Sequence, residues 1–343
     1  MPEKTLSRAA ILMALLVLAV IGSWELYLRR TGIPLDYDDG KELWSDKRAK
    51  VYDDPGKTTV FIGSSRIKFD LDIATWEKMT GREAVQLSIV GSTPMPVLRD
   101  LGNDTNFRGK LVVDVTEPLF FANDSAQVQK PDLYLTYYKH RTPAQRASFA
   151  INHLLESRLL FLDRESFSLN AELDKKVKLP NRPGVFVFPD FPDDFGRTTF
   201  ERQSYMTDRF VADTSMQKQV QNIWLFLMHS SGRDAAPKED PVPIVLRSVQ
   251  NAVNKIRARG GEVVFTRTPS SGPFRAGEQH VFPRQAMWDP LLAATHSTGF
   301  YYADNPATAG FTCPEWSHLR PSDATLYTKA LINELPSSFV TSK

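Results

Sequence analysis

The chain has 343 residues, with 42 basic and 40 acidic side chains and one cysteine, Cys313. This near balance of charge argues against a nucleic-acid partner, which would need a concentrated basic face. A single cysteine excludes an internal disulfide and a cysteine-built metal site, and the six histidines form no HxH or HxxxH pair, so neither a metal nor another cofactor is expected.

An apolar segment lies near the N-terminus, at residues 9–28. Twenty helical residues extend about 30 Å, the thickness of a bilayer core, and Trp24 and Tyr27 suit the membrane–water interface. Residues 1–30 are therefore expected to form an uncleaved membrane anchor in a single-pass protein. A cleaved signal peptide is the alternative, although no clear small-x-small site follows the apolar stretch.

Short apolar strands alternate with helical patterns after a polar, acidic linker at residues 31–57. Residues 58–118 predict strands at 58–63, 84–90 and 110–115, and helices at 73–80 and 94–101. The same rhythm returns in residues 243–338, with helices at 243–259, 283–296 and 321–335 and strands at 262–266 and 299–303. This alternation is typical of a parallel α/β sheet flanked by helices, in a three-layer, flavodoxin-like arrangement.

Residues 119–242 interrupt this rhythm and are interpreted as a helical and irregular insertion. A helix is predicted at residues 142–162, with Thr142 as N-cap and Pro143 as its first residue. A second helix is predicted at residues 203–228.

Two short segments contain residues that are candidates for a catalytic site. Ser65 follows the first predicted strand after Gly63, where a serine would be exposed at the carboxyl edge of the sheet as a nucleophile. Glu315 and His318 stand three residues apart before the last helix, a spacing that lets the carboxylate orient the imidazole as a base. Taken alone, the segment of Ser65 also fits an ordinary turn, and that of His318 also fits a packed histidine. Asp304 is an alternative to Glu315 as the acid.

Together the segments resemble those of the SGNH (GDSL-like) hydrolase superfamily. Gly63-Ser64-Ser65 is similar to its first block, residues 86–91 to its second and residues 315–321 to its last. The resemblance implies that Ser65 is the nucleophile, that His318 and Glu315 complete a triad, and that the Ser65 and Gly91 amides bind the oxyanion.

The chain departs from the family pattern at two positions. The last block has Glu315 where the family usually has Asp, and the third block lacks the usual oxyanion Asn. Thr116 is the candidate replacement donor, and Arg66 and Arg267 are candidate substrate-binding residues.

The anchor and the insertion narrow the resemblance to membrane-anchored proteins of envelope modification, of the DltD or alginate-acetylation type. This implies an extracytoplasmic acyltransferase or esterase that acts on an envelope glycan or glycolipid beside a membrane-bound O-acyltransferase. A catalytically weak or inactive assembly partner, or a binding protein of an export system, is the alternative.

Overall fold

The computed structural model describes residues 2–54, 57–121, 125–177, 189–231 and 240–340. Its contacts divide the chain into two compact units. The first comprises Met1–Asp38 and Thr142–Phe188, and the second comprises Asp39–Arg141 and Pro189–Lys343. Residues 142–188 of the expected insertion thus belong to the first unit, and its other residues belong to the second. Residues 122–124, 178–188 and 232–239 of that insertion lie outside the described residues.

The secondary structure is numbered along the chain. The strands are β1 (Thr58–Ile62), β2 (Glu83–Gln86), β3 (Lys110–Asp114), β4 (Arg197–Thr198), β5 (Ser204–Tyr205), β6 (Glu262–Arg267) and β7 (Gly299–Tyr301). The helices are α1 (Pro2–Arg30), α2 (Lys41–Ala49), α3 (Ser65–Asp70), α4 (Ile73–Thr80), α5 (Met95–Asn103), α6 (Glu117–Phe120), α7 (Ser125–His140), α8 (Pro143–Glu156), α9 (Arg164–Phe167), α10 (Leu169–Lys176), α11 (Asp208–Ala212), α12 (Thr214–Ser231), α13 (Val242–Ala258), α14 (Gly272–Val281), α15 (Trp288–Thr295), α16 (Pro321–Glu334) and α17 (Ser337–Val340).

Five parallel strands form the sheet of the second unit, in the order β2-β1-β3-β6-β7. In this register Val60 lies opposite Val85 on one side and Leu111 on the other, and Val113 lies opposite Phe265. The predicted parallel α/β sheet is confirmed. Chain direction across the sheet reverses at β1, because β2 and β3 flank it, and such a switch point opens a crevice at the carboxyl ends of the strands.

Alternate side chains of each strand enter two different cores, as the two-residue period of a strand requires. Val60, Ile62, Leu111 and Val113 face a core completed by α2, α5, α13 and α15. Phe61, Val112 and Val264 face the opposite core, which α3, α4 and α16 complete. Helices therefore cover both faces, and the strand ends remain available for a site.

The first unit contains α1, which is long and apolar enough to cross a membrane or to act as a signal anchor. It also contains α8, α9 and α10. Helix α8 begins as expected: the Thr142 side chain accepts from the Gln145 N–H, and the Gln145 side chain accepts from the Thr142 N–H. Pro143 is its first residue.

Three predicted helices were wrong in extent, and helix α14 was missed. The helix predicted at residues 142–162 ends at Glu156. The helix predicted at residues 203–228 is divided into β5, α11 and α12, because Thr207 caps α11 with its side chain and the chain turns again at Asp213. Helix α14 begins inside a segment that contains Gly272 and Pro273 and was not predicted. The helix predicted at residues 283–296 spans only Trp288–Thr295, since His296 adopts a left-handed conformation that ends it.

Candidate active site

Ser65 is the first residue of α3 and directly follows the turn after β1. Gly63 makes this turn possible: a β-carbon there would lie 2.6 Å from the Asp114 Cβ and 2.8 Å from the Ile67 Cγ2. The Ser65 side chain is partly exposed, whereas Ser64 beside it is buried. The close packing of Gly63 therefore presents Ser65 at the carboxyl edge of the sheet.

His318 joins the two segments singled out by the sequence. Its Nε2 lies 2.9 Å from the Ser65 Oγ, and its Nδ1 lies 3.0 Å from the Glu315 Oε1. Because an ionised carboxylate only accepts hydrogen bonds, the Nδ1 position carries the proton and Nε2 is left to accept from the Ser65 hydroxyl. This is the hydrogen-bond arrangement of a serine nucleophile with its general base.

Glu315 is fully buried, and both of its carboxylate oxygens are held. Its Oε1 also accepts the His318 backbone N–H at 2.6 Å and the Ser317 backbone N–H at 3.3 Å. Its Oε2 accepts the indole N–H of Trp224 at 2.5 Å. These donors place the carboxylate in one orientation, with Oε1 towards the imidazole.

Asp304, the alternative acid, lies elsewhere. It is exposed, it follows β7, and its Oδ1 accepts from Arg284 at 2.5 Å. The histidine is therefore oriented by Glu315, and the loop between the two residues turns through Trp316, which has a left-handed φ of 79°.

Aromatic side chains surround the imidazole. The ring centroid of Phe69 lies 4.4 Å from that of His318, and those of Phe195 and Trp224 lie 5.7 and 6.3 Å away. Phe195 and Trp224 come from residues 189–231, so the expected insertion supplies one wall of the site. Trp224 is only partly buried, as is its neighbour Phe274 at 5.9 Å.

Gly91 follows the carboxyl end of β2, the strand that pairs with β1. The chain after β2 stays paired with β1, since Leu87 N donates to Phe61 O at 2.8 Å and Ile89 N donates to Gly63 O at 3.2 Å. Gly91 follows two residues later with a left-handed φ of 67° and is exposed. The Ser65 N–H is likewise one of the first-turn amides that α3 cannot use internally. The Ser65 and Gly91 amides thus both follow the carboxyl ends of neighbouring strands, β1 and β2.

Thr116, the expected third donor, is engaged elsewhere. Its Oγ1 donates to the Asp114 Oδ2 at 2.9 Å and lies 2.9 Å from the Ser64 Oγ. Since the Thr116 hydroxyl has one proton, Ser64 donates in the second contact. Burial raises the pKa of the Asp114 carboxyl to about 6, despite the hydrogen bond from Thr116.

Arg66 and Arg267 form a buried network with Glu278 of α14. Arg66 pairs with the Glu278 Oε1, and Arg267 donates to the Glu278 Oε2 at 2.5 Å and to the Glu117 Oε1 at 2.8 Å. Burial alone would raise the pKa of the Glu278 carboxyl, but the two guanidinium groups outweigh it and hold that pKa at about 2. Both arginines are 2–3% exposed, so they hold together the buried side of these loops and are not surface cations.

Asp70 at the end of α3 connects to the loop that carries the base. Its Oδ1 accepts the Leu319 backbone N–H at 2.8 Å. Burial, together with the charges of Asp114 and Glu315, raises the pKa of Asp70 well above its usual range. Sequence reasoning missed Asp70, Trp224 and Glu278; Asp70 lies one helix length from the nucleophile, but nothing local marks the other two.

Among the described residues, no three His, Cys, Asp or Glu side chains are grouped so as to hold a metal ion. The arrangement supplies a hydroxyl, a base and an orienting carboxylate. A scan against protein-family models gives no match, and no curated protein matches the chain at a significant level.

Proposed function

We propose that the chain is a serine acyl-transfer enzyme of the SGNH type, anchored in a membrane. The proposal rests on the continuous hydrogen-bond chain from the Ser65 Oγ through His318 to Glu315, with distances of 2.9 and 3.0 Å. Ser65 is thus in hydrogen-bond contact with a base and its orienting carboxylate that lie about 250 residues away in sequence, which supports nucleophilic catalysis.

In this mechanism the Ser65 Oγ attacks the carbonyl carbon of an acyl ester while its proton passes to the His318 Nε2. The Ser65 and Gly91 amides bind the developing oxyanion. The protonated imidazole then gives the proton to the departing alkoxide, which leaves as an alcohol. The acyl group stays on the serine as an acyl-serine. A second hydroxyl, deprotonated by the same imidazole, attacks the acyl-serine and restores the enzyme. Water gives an esterase, and a sugar hydroxyl gives an acyltransferase.

We favour transfer to or from a sugar of an envelope polysaccharide or glycolipid, on the extracytoplasmic side of the membrane. The resemblance of the sequence blocks to anchored SGNH proteins supports this substrate class. The partly exposed rings of Trp224, beside His318, and of Phe274, beside Trp224, also offer faces on which a sugar ring can pack. A membrane-bound O-acyltransferase would be the corresponding partner.

A second function, as a weakly active or inactive assembly partner of such an acyltransferase, is favoured by one observation. The Thr116 hydroxyl donates to Asp114 and is not offered to an oxyanion. Loss of one oxyanion donor costs about 100- to 1,000-fold in rate. Glu117 at the same loop is ion-paired with Arg267 and cannot replace that donor.

Covalent labelling of the purified full chain by a fluorophosphonate tests the choice. Labelling of the wild type that is lost in Ser65→Ala and His318→Ala supports catalysis. Ser64→Ala is the matched control, because Ser64 is adjacent, buried and bonded to Thr116, so its loss should leave labelling in place. A folded wild-type protein that takes up no label would refute catalysis and favour the assembly function.

A further inference from the structure

Glu25 is an acidic residue inside the apolar helix α1, and the structure gives it a partner. Its Oε1 accepts the Leu160 backbone N–H at 3.1 Å, and its Oε2 accepts the Phe161 backbone N–H at 3.2 Å. Arg29 donates to the same carboxylate at 2.8 Å and also to the Arg158 carbonyl oxygen. An ionisable residue in a membrane helix is costly unless it is paired in this way.

These contacts make the last turn of α1 part of the folded first unit. Leu28 in that turn is buried, and Leu160 is buried as well. Removal of α1 would leave the two N–H groups of Leu160 and Phe161 without their acceptor. These contacts fit an anchor that is retained, and they hold residues 158–161 at the C-terminal end of α1.

The helices on either side of this attachment expose apolar side chains in a helical pattern. Six of them are between 43 and 75% exposed: Ile151, Leu154 and Leu155 around α8, and Leu169, Leu173 and Val177 around α10. The spacings of three and four residues place them along one stripe of each helix. Asn152 and Asn170 are exposed polar neighbours.

We propose that the stripes of α8 and α10 lie in the interface of the same bilayer that α1 spans. Their attachment at residues 158–161 fixes them at the level where α1 leaves the membrane. Trp24 and Tyr27, exposed and stacked at 5.5 Å on that part of α1, are the aromatic residues typical of this level. Helices that bury an apolar stripe in the headgroup boundary have this composition.

The charge of the segment indicates which kind of lipid surface it fits. Residues 142–177 contain five basic and five acidic side chains, so their net charge is zero. Attraction to anionic headgroups is then not the main driving force, and burial of the apolar stripes is. We therefore expect contact with zwitterionic phosphatidylcholine as well as with anionic lipid.

The test uses the full chain in phosphatidylcholine vesicles, with an environment-sensitive fluorophore on single introduced cysteines. Leu154→Cys and Leu173→Cys report the stripes, and Asn152→Cys is the matched control, because Asn152 lies about 110° around α8 from the middle of its stripe. Leu16→Cys in α1 is the positive control. The native Cys313 is buried, and burial raises the pKa of its thiol well above the usual range, so the wild type measures background labelling.

Brominated phosphatidylcholine should quench the two leucine positions roughly two-fold or more and leave the asparagine position nearly unchanged. Emission at the leucine positions should also shift to the blue. A blue shift without quenching by brominated lipid would show that a second copy of the chain covers the stripes, and equal quenching by aqueous iodide at all three positions would show that water does. Either result overturns the proposal, as does a membrane-purified chain whose N-terminus begins after residue 28.

Discussion

Trp224→Phe removes one hydrogen-bond donor from the buried Glu315 and keeps an aromatic ring beside His318. The lost bond, 2.5 Å long, joins a neutral donor to a carboxylate that water does not reach. Such a bond contributes about 1.5–3 kcal/mol. The remaining donors to Glu315 all reach Oε1, so Oε2 becomes free to move and the alignment of Oε1 with the imidazole weakens.

We expect the second-order rate of fluorophosphonate labelling at Ser65 to fall about 10- to 100-fold, which corresponds to about 1.4–2.7 kcal/mol. The apparent melting temperature should fall as well, by about 2–4 °C for each kcal/mol lost. In a Glu315→Gln background, Trp224→Phe should lower the labelling rate little further, because the two residues act through one contact.

Phe210→Leu is the matched control for lost packing. Phe210 is buried and packs on Phe195, 5.3 Å between ring centroids, without a polar contact to Glu315. This variant should lower stability by about 1 kcal/mol and leave the labelling rate unchanged. A Trp224→Phe rate within two-fold of wild type, with a melting temperature that falls as in the control, would refute a positioning role for the indole.

Three further variants test the site and the buried charged residues around it. Glu315→Gln should lower the labelling rate about 1,000- to 10,000-fold in a folded protein, because an amide cannot serve all the donors that meet the carboxylate; a ten-fold change would contradict this. Glu278→Gln should lower the free energy of unfolding, measured with denaturant, by about 3–5 kcal/mol, because Arg66 and Arg267 lose the negative charge with which both of them pair. A decrease of less than about 1 kcal/mol would count against the network. The pKa of Asp114 is about 6 in the folded chain against 3.8 as its ordinary value, so the folded chain binds the extra proton and the contribution of Asp114 to wild-type stability should fall by up to about 3 kcal/mol from pH 4 to 7. Asp114→Asn should remove that slope, and parallel pH curves for the two proteins would refute it.

The parts of the fold that sequence reasoning anticipated are those with a strong local pattern. The strands that begin at Thr58 and Lys110 each contain three consecutive apolar residues, and the helix Ile73–Thr80 ends at Gly81, whose left-handed φ of 66° is a common helix stop. Ser65, Glu315 and His318 were found because each follows or precedes such an element. The Ser65–His318 distance itself depends on the order of the strands.

The remaining features depend on contacts between segments far apart in sequence. Trp224 reaches Glu315 across 91 residues, and Glu278 reaches Arg66 across 212. No periodicity in either segment indicates these contacts, because a buried ion pair or a single indole N–H leaves no local pattern. The interpretation of Arg66 and Arg267 as substrate-binding residues has the same cause, because nothing in the sequence indicates the buried carboxylate with which they pair.

Helix α3 has only six residues, and it contains Ser65 and contacts the loop of His318. Ser65 begins it, and Asp70 at its end accepts the backbone N–H of the residue after His318. The separation of hydroxyl and imidazole is therefore set across about 8 Å of helix, the rise of five residues. Changes in residues 189–231 would alter the acid's support and the aromatic wall while leaving that separation alone. The distance between the hydroxyl and the imidazole can thus be kept while most residues of the aromatic wall change during evolution; Trp224 is the exception, because it belongs to the wall and also holds Glu315.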